Sequence, residues 1–444
     1  MNYKDLTNKL VERCQQLGAD AAEVYMQTSR NLSVRVRNGD IETVQEASSR
    51  GVGFRVFVDG RMGFSHCNDF ADSALDETIG RAIAFARLTS PDENNVLPAD
   101  QAHASVEGMY DPDISGVPMD TKIDMALKLE RLAMADNRIT HSSGASFGEG
   151  ESEVFIGNTN GLLKNRKQTF CSLGVSVVAE KGDERNTGGE FSSRRFFSDL
   201  EAPDVIAAKA AEKAWEMLDP QMIRTQRASV IFDPAVGRSL LGGIIAAING
   251  ERVLQGASFL RNSMDQPFAS PLLTIIDDGT LPGGMGSTPF DGEGVPTSRR
   301  ILVENGVLRS FLYNTQVAKR AGVQSTGNAS RGGFTSLPGI GTHNLWVEAG
   351  QYSPEQIIAN TSRGLLLKGV TGYGINPVNG NFSGGASGFW IENGKIIHPV
   401  KGLTIAGSAH DILNSIDMLG NDTDMTRSFT SPTIRVREMQ IGGA

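Results

Sequence analysis

The chain has few of the residues that cross-linking and metal chemistry require. Its three cysteines, Cys14, Cys67 and Cys171, are odd in number and far apart. They form no CxxC pair, which excludes a disulfide framework and a local zinc ribbon; free thiols in a reducing compartment are expected. The histidines are His66, His103, His141, His343, His398 and His410. The nearest two are more than three helical turns apart, so no pair has the one-turn spacing with which a helix presents metal ligands. No apolar run reaches the length of a membrane span. The residues around Leu6, Leu10, Val11, Cys14 and Leu17 repeat at helical spacing rather than forming a leader. A cytoplasmic protein is expected.

Positive charge is also thin. The net charge is -9 and basic residues occur only in short clusters such as Arg299-Arg300. Nucleic-acid binding needs a concentrated positive surface, and the sequence does not write one. The Gly-rich stretch GGMGSTPFDGEG (283–294) lacks the Lys-Ser/Thr of a phosphate loop. Its acids Asp291 and Glu293, like Asp277 and Asp278, are expected to be solvated loop carboxylates. SGGASGFW fails the GxSxG pattern at Phe389, so no nucleophile elbow is present. A triad of Ser383 or Ser387 with His398 or His410 and Asp411 is the hydrolase alternative that remains.

What the sequence has in quantity is glycine, 51 residues, much of it in turns between β-rich runs. Asn38-Gly39, Asp59-Gly60, Asn305-Gly306 and Asn393-Gly394 each separate two strand-like runs, and such pairs accept the positive φ of tight hairpins. Val34 and Val36 alternate with Arg35 and Arg37, the pattern of a half-buried strand. Apolar residues recur at helical spacing over 71–88, 119–137 and 199–218. A second β-rich stretch covers 139–197, with CSLGVSVVAE its best strand. After a connector at 219–228 the texture becomes short strands and Gly-rich loops. Helices and antiparallel strands alternate without a βαβ rhythm, so the fold expected is α+β: an N-terminal helix and antiparallel-sheet domain (1–225) and a β-rich C-terminal domain (226–444). ILVENGVLRSF and FWIENGKIIHP reuse one turn and give no evidence of a duplicated domain.

One helix stands out. Asp233-Pro234 is a good N-cap and first-turn pair, and it opens PAVGRSLLGGIIAAING. The segment LLGGIIAAIN is apolar on nearly every side and carries no group that binds a metal or moves a proton. Two adjacent glycines cost about 1 kcal/mol each in a helix interior, which is reasonable where another backbone must come near.

Several passages together resemble the TldD/PmbA family, described as modulators of DNA gyrase. They are ADAAEVYM (19–26), RLTSPDENN (87–95), GSTPFDGEGVPTSRR (286–300), STGNA (325–329), GASGFWIENGKIIHPV (385–400), LTIAG (403–407) and REMQIGG (437–443). They run in order over nearly the whole chain and are closer to the PmbA/TldE branch. The resemblance implies a two-subunit zinc peptidase acting on peptides or unfolded chains. It also implies an N-terminal α+β domain joined to a β-rich one. TldD carries HExxxH on a helix and a third ligand, a Cys, near its C-terminus; PmbA/TldE lacks the motif and pairs with TldD.

Laid on this sequence, the HE pair falls on Gly242 and Gly243, the second His on Ala247 and the Cys on Ser431. Gly and Ala have no donor atom, and a Ser hydroxyl replaces a thiolate poorly. The expectation is a non-catalytic subunit with no catalytic residue, metal or cofactor of its own, with zinc only in a TldD-type partner. The alternative is a homodimer that binds peptides or a protein without proteolysis. An extended peptide is expected to lie along a Gly-rich strand edge near 380–390, touching Asn381, Ser383, Gly384, Gly385 and Ser387. No nucleic-acid or membrane partner is expected.

Overall fold

The computed structural model describes residues 2–103, 105–372 and 374–443. The N-terminal portion is a duplicated unit. Helix α1 (Tyr3–Gln16), strands β1 (Ala21–Arg37), β2 (Asp40–Val58) and β3 (Arg61–Cys67) and helix α2 (Asp72–Leu88) form the first copy. Helix α3 (Met119–Met134), strands β4 (Ile139–Asn158), β5 (Leu163–Lys181) and β6 (Glu184–Arg194) and helix α4 (Pro203–Trp215) form the second. All six strands join one antiparallel sheet of order β3-β2-β1-β4-β5-β6. The first strands of the two copies lie side by side, so the copies relate as if by a two-fold axis.

Local chemistry sets these elements. Asn2 caps α1 by accepting from the Lys4 and Asp5 amides, and Leu10, Val11 and Cys14 turn inward. Asn38 and Gly39 take φ of 54° and 80°, and Asp59 and Gly60 take 51° and 71°; these values form the expected hairpins. Asn305-Gly306 and Asn393-Gly394 do the same. Pro203 at the first helical position starts α4 later than the periodicity of 199–218 suggests.

Both pairs of helices cover the same face of the sheet. α1 and α2 bury Leu75, Ile79 and Ile83 against Val24, Val52 and Phe54, while α3 and α4 bury Leu129, Ile206 and Ala210 against Phe147, Leu173 and Val175. The duplication extends to one close crossing. A Cβ on Gly63 of β3 would lie 2.0 Å from the Ala82 carbonyl oxygen of α2, and one on Gly188 of β6 would lie 2.2 Å from that of Ala210 in α4.

The C-terminal portion is built on a second six-stranded sheet. Strand β7 (Gln226–Phe232) pairs in parallel with Arg363–Thr371 and antiparallel with Ile434–Gly442. Asn381–Glu392 and Lys395–Ser408 follow beyond Arg363–Thr371, and Lys395–Ser408 pairs back onto residues 440–442 of the last strand. That pairing closes the sheet into a barrel filled by Val230, Phe232, Leu365, Leu367 and Val436. The mixed α+β class and the β-rich C-terminal half agree with expectation.

Buried charge joins the two portions. Arg55 of β2 bonds to Glu23 of β1 at 2.7 Å and to Glu293 of the C-terminal portion at 2.9 Å. Arg331 donates to the other oxygen of Glu23. Glu23 and Glu293 are fully buried. This overturns the solvated-loop expectation for Asp291 and Glu293. Asp291 accepts from the Glu293, Val295 and Ala329 amides at 2.8, 3.0 and 2.8 Å. Asp277 is likewise buried and accepts from the Asn328 amide nitrogen and the His343 N–H. The FDGEG run is therefore a clasp between the portions.

Candidate functional site

Helix α5 (Pro234–Ala247) follows β7 directly. Asp233 caps it, accepting from the Ala235 amide at 3.0 Å, and Lys368 holds the same carboxylate at 3.1 Å. Its glycines have separate reasons. A Cβ on Gly243 would lie 2.4 Å from that of Ile375, and one on Gly237 would lie 2.6 Å from Ser431 Oγ. Gly242 meets nothing within 4 Å.

The four positions carried over from the family motif therefore do not share one space. Gly243 and Ala247 face the core, and Gly242 faces away from it. Residues five apart on a helix are about 140° apart around its axis, so Gly242 and Ala247 point different ways. Ser431 is fully buried beside Gly237, roughly 7.5 Å along the axis from Gly242. Its hydroxyl donates to the Pro432 carbonyl at 2.9 Å. These residues do not fit a zinc ion. Among the described residues there is no cluster of three or more His, Cys, Asp or Glu that could hold a metal.

The strand edge expected at 380–390 is not an edge. Asn381–Glu392 pairs with Lys395–Ser408 along one side. Along the other it pairs with Arg363–Thr371 up to Gly385, then with Ile375 through Phe382. Among the described residues Gly385 and Ser387 pair on both sides, and Asn381, Ser383 and Gly384 are flanked by Asn376 and Gly372, so the stretch offers a peptide backbone no continuous open edge. The glycines are there for close strand approach: a Cβ on Gly388 would lie 1.9 Å from the Leu366 carbonyl oxygen. No hydrogen bond joins Ser383 or Ser387 to a histidine among the described residues. His398 Nδ1 is against the Pro399 carbonyl, and His410 is against the exposed Asp411.

An open edge does lie nearby, on β6. It pairs with β5 on one side only. The Phe191 amide bonds to Glu190 Oε1 at 3.0 Å instead of to β5. By strand alternation Thr187 and Gly189 also turn their amides outward. This edge forms one wall of a cleft of about 640 Å³, and the first turn of α5 with Asp422 and Arg427 forms the other. Glu190 spans the cleft, paired with Lys213 of α4 and with Arg427 at 3.2 Å. Burial opposes its charge, but Lys213, the Phe191 amide and Arg427 outweigh burial and hold its carboxyl below the ordinary range. Burial likewise opposes the Lys368 charge, yet Asp233 and Glu216 raise that ammonium's pKa.

Arg238 differs from its neighbours. It lines this cleft and an adjoining pocket of about 220 Å³ beside Phe191, Met285 and Phe429. Its Nε donates to the Ala235 carbonyl at 3.2 Å, and no carboxylate pairs with it among the described residues. The cleft thus offers outward backbone groups, an exposed aromatic ring and a guanidinium without a carboxylate partner among the described residues, and its acids are committed to ion pairs or, for Asp422, to the Thr433 amide and hydroxyl. No histidine, cysteine or serine lines it among the described residues.

Three family models cover most of the sequence. The PmbA/TldA metallopeptidase C-terminal domain matches 225–443, domain 1 matches 22–86, and the central domain matches 112–218. Escherichia coli O157:H7 metalloprotease PmbA is 33% identical over 96% of this chain and 93% of its own length. The chain belongs to the PmbA/TldD family. A Haemophilus influenzae metalloprotease TldD homolog is 26% identical over 96% of this chain and 93% of its own. Among solved structures, Thermococcus kodakarensis TldE superposes with a TM-score of 0.89 at 26% identity, covering 98% and 99% of the two chains. A Bacteroides thetaiotaomicron protein named for modulation of DNA gyrase superposes at 0.92 with 29% identity, covering 99% of each.

Within this PmbA/TldD-family chain, sequence reasoning located the α5 helix and missed the cleft. Arg238 is one arginine among many in the sequence, and nothing local marks β6 as unpaired.

Proposed function

We propose that this chain is the non-catalytic subunit of a two-subunit PmbA/TldD-type metallopeptidase that acts on peptides or unfolded chains in the cytoplasm. The observation that carries the reading is the α5 helix. By the family resemblance the HE pair falls on Gly242 and Gly243 and the second His on Ala247, and these residues supply no donor atom. Zinc and hydrolysis then belong to a TldD-type partner. This subunit's part is to hold the substrate, and the cleft beside β6 is where an extended chain adds to the open edge with a carboxylate on Arg238.

The test is reconstitution. The purified chain is expected to contain no zinc by metal analysis and to hydrolyse no peptide alone. Mixing it with a TldD-type subunit should produce turnover. Arg238→Ala should weaken binding of an acidic extended peptide about tenfold in fluorescence anisotropy. Peptide turnover by the metal-stripped chain alone would overturn the reading.

A further inference from the structure

One cation in the cleft beside β6 differs from the rest. Lys213 and Arg427 pair with Glu190, Lys209 pairs with Glu201, and Lys368 pairs with Asp233. Arg238 has no carboxylate among the described residues. The first turn of α5 offers an anion no free amide. The Ala235 amide bonds to the Asp233 carboxylate, and the Val236 and Gly237 amides bond to the Asp233 carbonyl at 2.9 and 2.8 Å. The Arg238 Nε is occupied by the Ala235 carbonyl, which leaves its two Nη groups. Such a planar pair fits a carboxylate with two parallel bonds.

What lies on either side of Arg238 narrows the class of ligand. On one side is the open edge of β6. Gly189 is exposed there, and its own fold does not require a glycine: its φ is not positive, and a Cβ would meet nothing nearer than 3.4 Å. Gly188 differs, since its Cβ would lie 2.2 Å from the Ala210 carbonyl oxygen. A glycine that packing does not demand, on an unpaired edge, lets a second backbone come close. On the other side is the pocket of about 220 Å³ whose apolar surface comes from Phe191, Met285 and Phe429. An internal aspartate or glutamate that reaches Arg238 has no second side chain for that pocket. The last residue of a chain carries a carboxylate and a side chain on one carbon, and it satisfies both.

We propose that Arg238 holds the free C-terminal carboxylate of the substrate chain, with an apolar last side chain in the pocket of Met285 and Phe429. The inference rests on the reading of this chain as the substrate-holding subunit, and it names the part of the substrate that is held. Arg238 and Phe191 line both the cleft and the pocket, whereas Gly189 lines the cleft alone. The bound chain therefore ends beside Phe191, its earlier residues pass Gly189, and it runs parallel to β6. Such a site selects chains with a free, extended C-terminus over internal segments and folded proteins.

The test is fluorescence anisotropy with the full chain and an N-terminally labelled, serine- and threonine-rich peptide that ends in leucine. Saturable binding is expected for the free acid. Amidating the C-terminus should weaken it about tenfold, and so should replacing the terminal leucine by glycine. An amidated peptide with an internal aspartate should bind no better than the plain amide. Arg238→Gln should weaken the free acid about tenfold and leave the amide unchanged, and Arg238→Lys should restore part of the difference. Gly189→Pro removes an outward amide that β5 does not use. It should weaken acid and amide alike, with circular dichroism matching the parent. A free acid that does not bind, an amide that binds as tightly, or an Arg238→Gln chain that still separates the two would each overturn the inference. Turnover after mixing with a TldD-type subunit judges the other reading. Turnover with acid and amide bound alike sinks the C-terminal anchor and leaves the subunit assignment. A preference for the acid without turnover sinks the subunit assignment and leaves the anchor.

Discussion

The two αβββα halves share strand order, helix placement and a glycine crossing, and they differ in what lies against them. The first half is clasped on its open face by Arg331 and Glu293, and its β2 edge is bare at 40–50, beyond the pairing with β3. The second half has its β5 edge covered at 163–170 by the linker and the FDGEG loop, and its β6 edge opens into the cleft. Duplicated topology has been kept while the surroundings diverged. What makes the halves equivalent is the backbone; what separates them is long-range contact.

The largest expected effect breaks the clasp. Arg331→Met leaves the buried Glu23 with half its partners, and a loss of about 3–5 kcal/mol is expected by denaturant unfolding. A loss below about 1 kcal/mol would mean that the clasp is not what distinguishes the first half.

Next come the matched glycines. Gly63→Ala and Gly188→Ala each drive a methyl group into a helix backbone, and each is expected to lose about 2–3 kcal/mol. Equal losses sharpen the equivalence of the halves, and unequal ones break it. Gly189→Ala, whose Cβ would meet nothing nearer than 3.4 Å, should stay within about 0.5 kcal/mol.

The third effect is a pH slope in the loop that touches both halves. Burial, and then the charge of Glu293, raise the Asp291 carboxyl from 3.8 to about 7. The folded state therefore holds a proton that the unfolded chain has released. This contribution to stability is fully present below pH 3.8 and is lost as pH rises towards about 7. Asp291→Asn should flatten that decline in unfolding midpoints measured across the window. An unchanged slope would place the titration elsewhere.

The smallest effect lies on the bare edge. Arg30 and Glu46 form an ion pair with both side chains about half exposed. Glu46→Gln should cost less than about 1 kcal/mol and matter less at high salt.

Much of the fold was legible because its signals are local. Asn38-Gly39 and Asp59-Gly60 accept positive φ wherever they occur, and the spacing of Leu75, Ile79 and Ile83 marks a helix face on its own. The duplication was not legible, because the shared feature is one glycine at a backbone crossing, Gly63 and Gly188, in otherwise unlike sequences. On sequence alone the glycines at 384–388 suggest an exposed edge, although close approach inside a closed barrel asks for the same residue.

By itself the sequence determined the turns, the helices, the α+β class and the absence of donor atoms at Gly242, Gly243 and Ala247. Those properties depend on side-chain chemistry and on neighbours a few residues away. Only the tertiary structure decided that Ser431 faces Gly237, that Asp291 and Glu293 are buried, that Arg238 has no carboxylate partner among the described residues and that β2 and β6 hold open edges. Each of these depends on segments far apart in sequence meeting or failing to meet, and no local pattern encodes that.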